Sequence, residues 1–318
     1  MYNDDQGNYD IIGDIHGYVT KLETLLKKLE YTKNEQGFYS HPTRKVIFLG
    51  DFIDGGNEHK AVINIVKPMV ENQAAYAIMA NHEFNAISFH TKHPETGLPL
   101  RKRSIKNIGQ HIEFLAEYKE DNKDMLEVIE WFKTLPLFLD FPEIRAIHAC
   151  WSDFEIEKIK PYLTPENTIK PELFEEFFIK ANTTQNIPEF DAIEVLLKGL
   201  EIPLPNKKTF KDKSGTLRAD IRVKWWLTDG ETYSDYALVP PNIVVPDIPL
   251  PKEQLVNYFY TDSKPVFVGH YWLNGQPEIQ ADNIACLDYS AGKGGHQVAY
   301  RWNKGDTKLI NSHFIVCE

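Results

Sequence analysis

Five short apolar runs in this chain each end in side chains that bind cations or carry protons, and that repetition narrows the possible folds more than any other feature. Tyr9-Asp10-Ile11-Ile12 leads into Gly13-Asp14-Ile15-His16-Gly17, and Lys45-Val46-Ile47-Phe48-Leu49 leads into Gly50-Asp51-Phe52-Ile53-Asp54-Gly55-Gly56. Residues 74–79 end in Ala80-Asn81-His82-Glu83, residues 144–149 carry His148 near their end, and residues 265–268 run into Gly269-His270. Between the first two runs, Leu22, Leu25, Leu26 and Leu29 recur at i, i+3, i+4, i+7 with Lys21, Glu23, Lys27 and Lys28 on the other side, which predicts an amphipathic helix. A second helical stretch over about residues 58–72 separates the second and third runs. Strand, helix, strand in this order predicts βαβ units with parallel pairing. In an open α/β sheet the site forms beyond the carboxyl ends of the strands, so the loops carrying Asp14, Asp51 and His82 are expected to converge.

Residues 105–132 carry helical spacing, as in Ile108, Ile112 and Leu115, then Met125, Val128, Ile129 and Phe132. Leu135-Pro136-Leu137-Phe138-Leu139 reads as an edge or entering strand, because proline donates nothing to a ladder. From 151 to 262 the rhythm breaks, and most of the prolines fall there. The expected organisation is a core of residues 1–150 and 263–318, with residues 151–262 inserted as a cap over the site. Residues 284–288, 297–302 and 307–310 are predicted as strands of a second sheet that closes the core.

Acidic residues outnumber basic ones, 46 against 35, for a formal charge of −11. Such a surface repels a phosphate backbone, which argues against a duplex nucleic-acid partner. A deep site with divalent ions still accepts a phosphorylated substrate, because the ions dominate the local field. Cys150, Cys286 and Cys317 lack the close pairing of a zinc knuckle or a disulfide scaffold, which fits a reducing compartment. The start Met1-Tyr2-Asn3-Asp4-Asp5 is polar and acidic, and no run approaches the roughly 20 apolar residues that span a bilayer. A cytoplasmic protein without a membrane partner is expected.

Collected in order, the strand-end residues are Asp14 and His16, Asp51 with Asp54, Asn81 with His82, His148, and His270. Oxygen and imidazole donors without thiolate suit manganese, iron or zinc. They exceed what one ion needs, so two divalent ions sharing a bridging carboxylate is the economical solution. Two such ions, roughly 3.5–4 Å apart, suit in-line displacement at phosphorus.

The five blocks, in this order behind five apolar runs, resemble those of the calcineurin-like metallophosphoesterases over about residues 9–150 and 263–310. The phosphoprotein-phosphatase-like branch fits best, because Asp54 follows Asp51 and Glu83 follows Asn81-His82. The tail Leu287-Asp288-Tyr289-Ser290-Ala291-Gly292 with Gly294-Gly295 is similar to bacterial members of that branch, diadenosine tetraphosphatases among them. The resemblance implies an α/β fold of two packed mixed sheets flanked by helices, a four-layer αββα sandwich. It implies that Asp14 and His16 hold one metal, Asp51 bridges, and Asn81, His148 and His270 hold the second, with manganese the first ion to try in vitro. It implies that His82 protonates the leaving oxygen while Asp54 orients its ring.

One departure stands out: Gly55 occupies the position where that branch carries a phosphate-gripping arginine. Arg218 and Arg222, four apart and followed by Trp225-Trp226, are the candidates to supply the grip, together with Asn81. His90, His93 and His111 read as loop or surface histidines, and Lys293 and His296 sit in a glycine-flanked loop that either approaches the phosphate or faces solvent. Trp225, Trp226, Phe174, Phe177 and Phe178 read as core. Glu83 reads as a partner behind the ligands or a helix-start carboxylate. The expected function is a metal-dependent phosphatase acting on a phosphorylated small molecule, nucleotide or phosphoprotein. A dinucleoside polyphosphate hydrolase is the alternative, and a silent metal-binding interaction module the second.

Overall fold

Strand β1, Tyr9–Ile12, is buried along its whole length, and its alternation sorts its side chains between two layers. The computed structural model describes residues 7–119, 122–183, 187–211, 217–239, 243–245 and 247–317. The acidic start, Gly215 and Thr216 before Arg218, and Pro240-Pro241 lie outside the described residues. After β1 come helix α1 (Val19–Lys28), a hairpin of β2 (Thr32–Lys33) and β3 (Tyr39–Ser40), β4 (Lys45–Phe48), α2 (His59–Glu71) and β5 (Ala75–Ala77). Strand β4 runs parallel to β1, with Tyr9 opposite Lys45, and β5 runs parallel to β4, with Val46 opposite Ala75. The predicted parallel βαβ units are present. β5 is shorter than the apolar run over 74–79.

Helices α3 (Asn81–His90), α4 (Ile105–Gln110), α5 (Ile112–Glu117) and α6 (Lys123–Lys133) follow. The single helical stretch expected over 105–132 is three helices, broken at His111 and again before Lys123. Strand β6 (Phe138–Asp140) lies antiparallel to β7 (Arg145–Ile147) at the edge of a second sheet, in line with the proline at 136. Next come α7 (Asp153–Ile159), α8 (Leu173–Thr183) and α9 (Pro188–Lys198), then β8 (Glu201–Pro203), β9 (Phe210–Lys211), β10 (Leu217–Arg218), β11 (Asp220–Val223), α10 (Tyr233–Tyr236) and β12 (Ala237–Leu238). The chain ends with β13 (Val266–Val268), β14 (Ile284–Cys286), β15 (Asp288–Tyr289), β16 (His296–Trp302) and β17 (Phe314–Cys317).

Two expectations for the tail are overturned. Residues 297–302 belong to the first sheet, not the second: β16 pairs antiparallel with β1, Tyr9 opposite Trp302 and Ile12 opposite Ala299. Residues 307–310 form no strand. The Ile310 amide donates to the Tyr300 hydroxyl at 2.8 Å, and the last ladder is β17 on β16. Apolar content marks a strand but not which sheet it joins; that is decided by long-range pairing.

The first sheet runs β15-β16-β1-β4-β5 with β17 on β16, and the second runs β14-β13-β7-β6. Both are mixed, and they pack face to face. Tyr9, Ile11, Ile47 and Ile78 meet Leu139, Ala146, Phe267 and Ala285 in one cluster between them. The opposite faces carry helices: Ile12, Val46 and Phe48 pack with Leu22, Leu25, Val62 and Val66. This is the four-layer α/β sandwich.

Residues 151–199 pack into that main core through Ile156, Phe177, Leu196 and Leu197. A separate cluster forms only further on, from Leu200, Ile202, Ile221, Val223, Tyr236 and Leu255. Trp225 and Trp226 are core residues, as expected, and so are Phe174, Phe177 and Phe178. Among the described residues no helix is long and apolar enough to cross a membrane.

Candidate metal centre

The loops after β1 and β4 are laced together by their backbones. The amides of Ile15 and His16 both donate to the Asp51 carbonyl, at 3.1 and 2.7 Å, and the Gly56 amide donates to the His16 carbonyl at 2.7 Å. His16 Nε2 therefore lies 3.7 Å from Asp14 Oδ2 and 3.4 Å from Asp51 Oδ2. From the far sheet, His148 Nε2 reaches to 3.4 Å from the same Asp51 oxygen and 3.1 Å from Asn81 Oδ1. The His270 amide donates to Asp14 Oδ2 at 3.2 Å. Residue 269 must be glycine for this approach, since a Cβ there would stand 2.1 Å from Asp14 Oδ1. All six expected metal ligands thus gather at the carboxyl ends of β1, β4, β5, β7 and β13.

Their side chains are pre-aimed. His16 Nδ1 donates to the carbonyls of Asp54 and Ile53, at 2.8 and 3.1 Å, and His148 Nδ1 donates to the Leu49 carbonyl at 2.8 Å. In both rings Nε2 is left facing the carboxylates, the second-layer arrangement that orients metal-ligating imidazoles. Backbone strain concentrates here too. His16, Asp51, Asp54 and His270 all adopt the left-handed region, with φ between 49° and 69°. Such residues cost about 1–3 kcal/mol each and persist where the surroundings over-determine them.

The donor chemistry fits cations. His16, Asp51 and His82 bring one ligand atom each within 4.8 Å of one another, and so do Asp51, His148 and His270, with Asp51 common to both groups. His270 Nε2 is buried without a hydrogen-bond partner. The charges of these groups lean on one another. Burial opposes charge on His16, but the nearby Asp14 and Asp51 carboxylates outweigh it and raise its pKa to about 10. His148 rises to about 9, burial again being overcome by Asp51. Burial and the positive Arg222 push His270 well below its usual value. Burial and the Asp14 charge lift Asp288 to about 7.

Beside these donors, His82 Nδ1 donates to Asp54 Oδ2 at 2.6 Å. Burial works against an imidazolium there, but the charges of Asp51 and Asp54 outweigh it and raise the His82 pKa. Glu83 fills both of its expected roles. Its carboxylate accepts the Asp51 and Phe52 amides at 3.0 and 2.9 Å and the Ala80 amide at 3.2 Å, tying the Asp51 loop to the first turn of α3.

His111 corrects the sequence reading. Expected on a loop or the surface, it is buried, and its Nδ1 donates to Asp54 Oδ1 at 2.7 Å. His90 joins it, with the two Nε2 atoms 3.1 Å apart. Helical spacing offered no signal for this contact, because it closes 57 residues of chain. Asp288 was quoted in the tail motif without a role, yet it lines the cleft with Asp14, Asp51 and Asp54. His93 behaves as a loop residue, its Nδ1 accepting the Glu95 amide at 3.1 Å.

Gly55 acquires a steric reason. Its φ is +113°, and a Cβ would stand 2.9 Å from the Gly292 carbonyl oxygen and 3.2 Å from His16 Cβ. The tail loop occupies the space a side chain at 55 would need, and it brings Lys293 to the cleft wall. Lys293 is the one lysine or arginine lining the cleft among the described residues. Arg222 stands behind that wall: its guanidinium lies 4.7 Å from the ring centre of Trp272, a lining residue, and donates to Glu201 at 2.9 Å. Arg218 is exposed on the short β9–β10 ladder and does not line the cleft.

Fold and site together define a class, the α/β sandwich with an Asp/His metal-binding cleft at its strand ends. The sequence profile of the calcineurin-like phosphoesterase family matches residues 8–270, and the chain belongs to that family. It is 32% identical over 141 residues to the bis(5'-nucleosyl)-tetraphosphatase PrpE (asymmetrical) of Oceanobacillus iheyensis, covering 44% of this chain and 54% of that one. It is 31% identical over 144 residues to the protein of the same name in Halalkalibacterium halodurans, with the same coverage, 44% and 54%. The chain spans about half the length of the curated relatives it matches. A solved structure of a cold-active protein tyrosine phosphatase superposes with a TM-score of 0.52 at 13% identity, covering 98% of this chain and 80% of that one, a likeness of fold.

Proposed function

We propose that the chain is a metal-dependent phosphoester hydrolase. The observation that carries this is the central place of Asp51, whose carboxylate has ligand atoms of His16 on one side and of His148 and His270 on the other, with His82 also within reach but held through Nδ1 by Asp54. Asp14, His16 and Asp51 would hold one ion, and Asp51, Asn81, His148 and His270 the other; manganese, iron and zinc all suit this set. When bound, such ions supply Lewis-acid charge at a phosphoryl oxygen and make water acidic enough to attack phosphorus near neutral pH.

The chain's own residues do the rest. His82, kept protonated by Asp51 and Asp54, delivers a proton from Nε2 to the leaving oxygen, and Asp54 holds the ring in the orientation this needs. Asn81 begins α3 and lines the cleft, where its side-chain amide can meet a phosphoryl oxygen. Arg222 adds positive charge behind Trp272, and Arg218 remains a candidate for a larger substrate reaching outward. Within the 151–262 insertion, the part from Leu200 on, which has an apolar cluster of its own, acts as the cap that carries Arg218 and Arg222, and the buried free thiols of Cys150, Cys286 and Cys317 suit a cytoplasmic enzyme.

The substrate class is a phosphorylated small molecule, nucleotide or phosphoprotein. A dinucleoside tetraphosphate is the favoured second reading, because both curated relatives carry a tetraphosphatase name. Purified protein with Mn²⁺ should hydrolyse para-nitrophenyl phosphate, with Asp51→Asn and His82→Ala each impaired. Equal turnover in wild type and both variants would defeat the proposal. Phosphopeptides and dinucleotides assayed side by side separate the two substrate readings.

A further inference from the structure

Asp54 holds two imidazoles at once, one on each carboxylate oxygen: His82 Nδ1 at 2.6 Å on Oδ2 and His111 Nδ1 at 2.7 Å on Oδ1. We propose that His111 is a positioning residue for the proton-delivering His82, acting through Asp54; the proposal rests on the hydrolase reading above. A carboxylate that grips one ring through one oxygen still rotates about its Cβ–Cγ bond and carries that ring with it. A second buried donor on the other oxygen fixes the carboxylate plane.

The surroundings of His111 are built for this. It sits at the break between α4 and α5 rather than inside a helix. Its ring stacks on Phe114, with centroids 4.6 Å apart and 18° between planes, and tilts against Phe89 at 5.2 Å. His90 Nε2 meets its far nitrogen at 3.1 Å, so the ring is held at both nitrogens and along its face. Asp54 itself is backbone-strained, with φ at 66°, which makes an external hold on its side chain more consequential. Among the described residues the hydrogen bonds of the His111 ring go to Asp54 and His90 and not to the metal ligand set, so its removal acts first on the acid side of the site.

Three variants test this. His111→Phe keeps a ring and removes the donor. His111→Gln keeps a buried amide but carries it toward His90, at the position of Nε2. His111→Asn places an amide donor where Nδ1 stands. The readout is the ratio of kcat/KM for an alkyl phosphate, whose leaving group needs a proton, to that for para-nitrophenyl phosphate, whose leaving group does not. His111→Phe and His111→Gln should lower the ratio about 10-fold, a fraction of what a full general acid contributes, and His111→Asn should restore most of it. Bound manganese and inhibition by inorganic phosphate should stay at wild-type values in all three. If His111→Phe fails to fold, as read from its melting curve, His111→Gln gives the same reading. An unchanged ratio in the folded variants, or an equal fall for both esters, overturns the role of His111 and leaves the hydrolase reading standing. Wild-type protein inert toward both esters overturns that reading and this proposal with it.

Discussion

Asp10 and Asp14 leave the same strand four positions apart, both buried, and meet opposite surroundings. Asp10 is fully matched from within the chain. Its oxygens accept Arg44 Nε at 2.8 Å, Tyr31 OH at 3.1 Å and Arg301 Nε at 2.9 Å. Asp14 instead faces Asp51, Asp288 and a set of histidines, and no lysine or arginine pairs with it among the described residues. Burying a carboxylate costs several kcal/mol unless a partner compensates. Where the chain supplies the partner, the acid is architecture; where it supplies more acids, the site is arranged for a charge from outside.

The contrast breaks most visibly at Asp10. Asp10→Ala leaves two arginines facing an empty position and should cost about 3–5 kcal/mol of stability, measured by urea unfolding, with kcat of the remaining folded protein near wild type. Manganese should act at the other acid cluster: at about 100 times its dissociation constant it should stabilise the protein by about 2.7 kcal/mol, read as a rise in melting temperature. Asp51→Asn should remove most of that gain and also lower the stability of the metal-free protein, since, despite burial, His148, His82 and His16 hold the Asp51 carboxylate well below its usual pKa and would lose its charge.

Lys293→Met tests the lysine that lines the cleft. KM for para-nitrophenyl phosphate should rise about 10-fold, a loss of about 1.4 kcal/mol of binding, with kcat little changed. The smallest effect concerns pH. A raised His82 pKa extends the proton-bearing range upward from that of a free imidazole, and activity is lost as pH rises through the folded-state value. Asp54→Asn withdraws the carboxylate charge that favours the imidazolium, so the alkaline limb of the kcat/KM profile should move to lower pH. A shift to higher pH would contradict the role given to Asp54.

Much of the centre was legible beforehand, for a geometric reason. Parallel strands joined by crossovers put their carboxyl ends on one edge, so Asp14, Asp51 and Asn81 had to meet once β1, β4 and β5 were recognised. His148 and His270 followed because β7 and β13 are parallel neighbours, Val266 opposite Arg145, and deliver their last residues together. His111 was not legible. It lies on no strand, and its helical neighbourhood gives no direction toward Asp54. Gly55 was noticed as a departure, but its cause, the Gly292 carbonyl 2.9 Å from where a Cβ would stand, exists only after the tail has returned across the site.

Sequence alone therefore determined which side chains sit at the strand ends, because continuous apolar runs and chain order are local properties. Tertiary structure decided the membership of β16 in the first sheet, the second imidazole on Asp54 and the cation that lines the cleft. Each of those depends on the closure of a long loop, and the free energy of such a closure comes from packing and hydrogen bonds between residues that no local pattern links.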